Sequence, residues 1–251
     1  RKLGTQDPWQ TVQSILDEPP LNADIRSFPT SRGVATFATV CALPLDEPRR
    51  GQPGTHRPNA GKAHMTTHTF ADLGVPAPLV RALAANDITT PFPIQAATLP
   101  DSLSGRDVLG RGKTGSGKTL AFSIPLVAAL SEHRSRPNRP TGLVLAPTRE
   151  LATQITAVLQ PLASASGLSV TTIFGGVSQN KQVAALRAGA DIVVACPGRL
   201  EDLMRQKLIT LDDVVTTVLD EADHMADLGF LPGVTRILAA TPTLLGCQAR
   251  R

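Results

Sequence analysis

The 251-residue sequence predicts an α/β fold: a parallel sheet with helices on both faces. Three observations lead there. Strand-like and helix-like segments alternate from Phe70 onward. The strand-like runs are continuously apolar, as in Val214-Val215-Thr216-Thr217-Val218-Leu219, the pattern of strands covered on both sides. A glycine-rich loop, Gly112-Lys113-Thr114-Gly115-Ser116-Gly117-Lys118-Thr119, stands between a strand and a helix.

Each element has a local reason. Asp107 to Leu109 is a short strand feeding the glycine loop, and Lys118 to Leu130 is the helix after it. The basic, proline-rich stretch Arg134 to Pro140 is a loop. Gly142 to Ala146 is a strand. Arg149 to Leu159 is a helix with apolar positions at Leu151, Ile155, Val158 and Leu159. Ser169 to Phe174 is a strand, Gly175-Gly176 a turn and Gln179 to Leu186 a helix. Asp191 to Ala195 is a strand and Gly198 to Met204 begins a helix. Val214 to Leu219 is a strand ending on Asp220-Glu221-Ala222-Asp223, and Val234 to Ala239 is a last helical piece.

Residues 1–64 read differently. Proline, glycine and arginine are scattered through them, and no helical or strand period persists. This predicts a leader without fixed structure. Met65 precedes the first regular patterning, so the leader is either upstream translation or a genuine disordered extension. The expected division is the leader 1–64, a segment 65–95, and the α/β domain 96–251.

Composition narrows the class. Aromatic residues are 3% of the chain, so Ala, Val, Leu and Ile must build the core. The net charge of +4 permits a polyanionic partner without requiring one. Cys41, Cys196 and Cys247 form no C-x-x-C pattern, which predicts reduced thiols and a cytoplasmic protein. No apolar stretch approaches the roughly 18 residues of a membrane helix. The nearest thing to the apolar region of a signal segment, Val34 to Leu45, lies too far from the amino terminus and is broken by Thr36, Thr39 and Pro44.

The glycine loop fits G-x-x-x-x-G-K-[ST]. Backbone N–H groups of Thr114, Gly115, Ser116 and Gly117 would cradle phosphate oxygens, Lys118 would reach the terminal phosphates, and the Thr119 hydroxyl would ligate magnesium. Asp220 would hold the metal, and Glu221 would orient or deprotonate an attacking water. Lys118, Asp220 and Glu221 are the candidate catalytic residues, and Thr119 and Asp220 the candidate metal ligands. ATP with Mg2+ is the expected cofactor pair.

These segments closely resemble the DEAD-box ATP-dependent RNA helicases. Asp220-Glu221-Ala222-Asp223 spells the family motif. Gly110 to Thr119 resembles motif I, Pro147 to Ala152 motif Ia, Gly175-Gly176 the GG motif and Ala195 to Arg199 motif Ib. Pro93-Ile94-Gln95 resembles the end of the Q motif, with Phe70 at the spacing of the upstream aromatic. The resemblance implies a RecA-like P-loop NTPase domain. It implies that Gln95 hydrogen-bonds the adenine edge and Phe70 packs near the base. It implies that Thr148, Arg149, Gly176 and Arg199 contact the RNA sugar-phosphate backbone, although Arg149 and Glu150 also fit a solvated helix start. Such contacts carry little base specificity.

The sequence departs from the pattern in places. Asp87-Ile88 replaces Gly-Phe, Phe92 replaces a small polar residue, Arg111 and Lys113 add charge to motif I, and Cys196 replaces a threonine. No Ser-Ala-Thr (motif III) follows Asp223. The family's second RecA-like domain brings arginine fingers and half of the RNA cleft. Loss of a finger costs about 10³–10⁵ in turnover. Two outcomes are therefore weighed: an ATP-dependent RNA helicase domain, or a nucleotide- and RNA-binding fragment with little turnover by itself. A DNA-directed translocase of the same superfamily is disfavoured by the acidic motif and Gln95.

Overall fold

The computed structural model describes residues 68–242, together with the backbone of two strands at 25–28 and 35–41. Seven strands form one sheet in the order β1-β3-β2-β7-β4-β6-β5. They are β1 (Ile25–Phe28), β2 (Ala35–Cys41), β3 (Asp107–Gly112), β4 (Gly142–Leu145), β5 (Val170–Ile173), β6 (Ile192–Ala195) and β7 (Thr216–Leu219). Every neighbouring pair is parallel except β1 with β3. The helices are α1 (Ala77–Ala84), α2 (Pro93–Leu103), α3 (Lys118–Leu130), α4 (Arg149–Ala165), α5 (Gln179–Arg187), α6 (Pro197–Arg205), α7 (Ala222–Asp227) and α8 (Leu231–Ala239).

The strand sequences explain the two layers. Successive side chains point to opposite faces, so a strand that is apolar at every position feeds two cores. Val108, Val144, Ile192, Val194 and Val218 join one core with Leu79, Phe122, Ile155 and Leu159 from α1, α3 and α4. Leu109, Leu143, Leu145, Val193 and Leu219 join the other with Leu186, Leu203, Met225 and Ile237 from α5 to α8. This is the fold class that the alternation of segments predicts.

Helix α3 has the predicted bounds. Helix α4 runs six residues past the expected Leu159, straight through Pro161. A proline there removes one N–H from the ladder, and Leu162 and Ala163, both buried, hold the last turn against the core. Helices α1, α2 and α7 were not read from the sequence at all.

The leader needs a correction where it is described. Residues 25–28 and 35–41 were expected to lack regular structure, and both are strands of the sheet. Strand β2 lies between β3 and β7, pairing Phe37 with Val108 on one side and with Val218 on the other. Its sequence, ATFATVC, lies within the stretch Val34 to Leu45 that was set aside above as a signal segment. Seven residues of mixed β-branched and apolar character suit a central parallel strand. The remainder of residues 1–67, and residues 243–251, lie outside the described set. Met65, Cys41 as a side chain and Cys247 fall there.

Parallel strands bring their carboxyl ends to one edge. The glycine loop follows β3, Pro147-Thr148 follow β4, Gly175-Gly176 follow β5, Cys196 follows β6, and Asp220-Glu221 follow β7. Ligands of open parallel sheets bind along this edge.

Candidate active site and nucleic-acid face

The glycine loop leaves β3 and enters α3 through two left-handed residues, Gly115 (φ 81°) and Gly117 (φ 89°). Only glycine takes this geometry without strain. At Gly117 space is short as well: a Cβ would stand 2.6 Å from Gln95 Nε2 and 2.6 Å from Phe92 Cδ2. Lys118, the first residue of α3, donates its ammonium to the Gly112 carbonyl at 2.6 Å. The Ser116 hydroxyl is buried and has no hydrogen-bond partner. Thr114 and Gly115 are exposed, and Thr119 is half-buried in the first turn of α3.

Asp220 is the buried acid of the site, 3% exposed. Its backbone N–H donates to the Leu145 carbonyl, extending the pairing of β7 with β4. Burial pushes its carboxyl up to about 6, and the charges of Glu221 and Asp223 push the same way, while the positive charge of Lys118 pulls it down. The loop lysine and the acidic strand end therefore feel each other directly, although 102 positions of sequence separate 118 from 220.

Glu221 follows in the left-handed region, φ 51° and ψ 53°, and opens α7. That conformation is uncommon for a residue with a Cβ. Its N–H donates to Asp220 Oδ1 at 3.1 Å. Its carboxylate lies 3.3 Å from His224 Nδ1. Sequence reasoning missed His224, and the available signal was its i,i+3 spacing from Glu221 on one helix face.

Both residues expected at the base are buried in this structure. Phe70 is 2% exposed and packs in the core with Val75 and Leu79, so its ring faces protein. An aromatic in a chain this poor in aromatics is drawn to the core. Gln95 is fully buried (0%). Its Oε1 accepts from the Phe92 N–H at 2.9 Å and its Nε2 donates to the Gly117 carbonyl at 3.0 Å. The amide thus ties the start of α2 to the end of the glycine loop.

The residues expected at nucleic acid gather on the same edge. The Arg149 guanidinium lies 5.3 Å from the centre of the Phe174 ring. It also fills the space beside Gly176, whose Cβ would meet Arg149 Nη1 at 2.6 Å. Arg199 donates to the Val177 carbonyl at 3.2 Å. Thr148 caps α4, its hydroxyl accepting from the Leu151 N–H at 3.2 Å. Beside them, burial and the Glu150 charge push the Cys196 thiol up to about 11, with Arg149 acting in the opposite direction. At that value it is a protonated packing group at neutral pH, as the sequence suggested.

The pattern of the DEAD/DEAH box helicase family matches residues 92–249. The chain belongs to the DEAD/DEAH box helicase family. It is 40% identical over 189 residues to an ATP-dependent RNA helicase RhlB of Sodalis glossinidius (strain morsitans), covering 74% of this chain and 46% of that protein. It is 43% identical over 175 residues to the ATP-dependent RNA helicase-like protein DB10 of Nicotiana sylvestris, covering 69% and 29%. Among solved structures it resembles the RNA helicase Prp28 of Chaetomium thermophilum bound to ADP. That likeness has a TM-score of 0.61 at 38% identity, over 67% of this chain and 42% of that one. This DEAD/DEAH box chain thus spans less than half the length of each of these relatives. The matched span begins at Phe92, includes the glycine loop and the acidic motif, and leaves Phe70 outside.

Among the described residues no helix is long and apolar enough to cross a membrane.

Proposed function

We propose that this chain is the ATP- and RNA-binding first domain of a DEAD-box RNA helicase. The observation that carries the reading is that the glycine loop after β3 and the acidic end of β7 stand at one carboxyl edge of the sheet, both strands pairing with β2, where the charge of Lys118 acts on the buried Asp220. A triphosphate would lie along the backbone N–H groups of Thr114 to Gly117, with Lys118 leaving the Gly112 carbonyl to meet its terminal phosphates. The unpartnered Ser116 hydroxyl stands ready beside that path.

The donors also suit Mg2+. Asp220 and the Thr119 hydroxyl offer hard oxygens. A carboxyl raised to about 6 by burial among like charges is one whose ionised form a cation would favour. When bound, the metal would neutralise charge on the phosphates. Glu221 would orient the water and accept its proton, held in place by the 3.3 Å contact with His224. Gln95 would couple base-side packing to the loop through Gly117. Arg149, Arg199, the Gly176 turn and the Thr148 backbone would follow one RNA strand by its phosphates and sugars.

In the complete enzyme, a second RecA-like domain would supply the arginine fingers and the other half of the RNA cleft. Residues 1–251 by themselves should then bind nucleotide and turn it over slowly, because an arginine finger is worth about 10³–10⁵ in rate.

The test is a titration of fluorescent ADP with and without Mg2+, followed by phosphate release with and without RNA. Binding that depends on Lys118 and turnover that stays slow support the reading. Binding that survives Lys118→Ala overturns the site. Stimulation by DNA oligomers equal to that by RNA, in the full-length protein, would move the assignment to a DNA translocase.

A further inference from the structure

Phe92 is 54% exposed, the one exposed phenylalanine among the described residues, in a chain without tyrosine. The exposed ring lies against the functional loop. Phe92 Cδ2 and Cβ stand 2.6 and 3.3 Å from where a Cβ on Gly117 would be. Its backbone is fixed there, since its N–H is held by Gln95 Oε1 at 2.9 Å and the same amide holds the Gly117 carbonyl. The backbone of residue 92 is therefore tied to the end of the phosphate cradle, and the ring stands next to it. Phe70, the residue expected beside the base, is packed in the core. The resemblance expects a small polar side chain at position 92, so a ring here departs from the family pattern.

We propose that the Phe92 ring is the stacking surface for the purine base of the nucleotide whose phosphates occupy the loop. This rests on the nucleotide-binding reading above. An exposed ring beside a phosphate-binding turn offers a flat apolar face next to the phosphate cradle. Stacking on such a face needs no hydrogen bonds and so tolerates any purine.

The test compares ADP with inorganic tripolyphosphate as competitors for a fluorescent ADP probe, on wild type, Phe92→Ala and Phe92→Trp. All three proteins keep the backbone N–H that Gln95 holds. Phe92→Ala should weaken ADP binding about ten-fold, the scale of base–aromatic stacking. Tripolyphosphate should bind it as it binds wild type, and Phe92→Trp should keep ADP affinity. Equal ADP affinity in wild type and Phe92→Ala would overturn the proposal while leaving the nucleotide site standing. Parallel losses for ADP and tripolyphosphate would also overturn it, as damage to the loop. If wild type binds neither competitor, the nucleotide reading falls and Phe92 with it.

Discussion

The Arg149 guanidinium occupies the space that a side chain at Gly176 would need, 2.6 Å from the position of its Cβ. Two motifs lying 27 residues apart (149 to 176) thus share one surface. An arginine spread over an aromatic ring and a bare turn keeps its N–H fork available at the edge. Arg149→Ala should weaken single-stranded RNA binding and lower the slope of log affinity against log salt by about one. Titrations of an RNA oligomer at several salt concentrations check this. An unchanged slope would show that Arg149 contacts no phosphate.

Asp220 sets function against stability. Its carboxyl is raised from 3.8 to about 6, so between those values the folded state binds a proton that the unfolded state does not. Stability from this group falls as pH rises through that window and stays lower above it. Asp220→Asn keeps the oxygen that accepts from the Glu221 N–H and removes the buried charge. It should raise the melting temperature at pH 7.5 by several degrees, for a gain of roughly 2 kcal/mol. At pH 4 the gain should vanish, and Mg2+-dependent nucleotide binding should be lost at either pH. Thermal melts at the two pH values decide it.

Gly117 should tolerate no side chain. Its φ of 89° and the proximity of Gln95 and Phe92 mean that Gly117→Ala combines backbone strain with a clash against a buried amide. Roughly 2–3 kcal/mol of destabilisation is expected, read as a drop of about 5–10 °C in melting temperature. ADP binding should fall with it. A variant that melts like wild type would show that the turn relaxes freely.

Strand β2 joins the two halves of the site. Deleting residues 1–64 would leave β3 and β7, which carry Lys118 and Asp220 at their ends, without the strand that both now pair with. Unpaired central backbone is costly, so the shortened chain should melt at least 10 °C lower or lose its cooperative transition. Circular dichroism melts of the two chains test it. Equal melting curves would mean that β2 contributes nothing to the sheet.

From Asp107 to Ala239 most of the fold was legible, because strands buried on both faces must be apolar at every position. Ile192-Val193-Val194-Ala195 can hardly be anything else. Helix α3 was legible because the glycine loop fixes its first residue and Ser131 follows its last. Strand β2 was hidden because its partners lie about 70 and 180 residues away and no local period reports such pairing. Helix α2 was hidden by Pro93 and Pro100, the first harmless in an opening turn and the second carried by packing. At the site, the order of segments that meet at the carboxyl edge was legible and the side-chain commitments were not. That Gln95 spends its amide on Phe92 and Gly117, and that Phe70 is interior, depend on how elements pack.

The bond from Lys118 to the Gly112 carbonyl has a consequence for selectivity. The ammonium is parked on a neutral acceptor of its own loop, so an arriving molecule must outbid a charge-assisted hydrogen bond before it can recruit the lysine. On the proposed function, a polyphosphate would meet that cost with its charge, and a neutral sugar or free nucleoside would not. The parked lysine would then act as a threshold against weakly charged visitors.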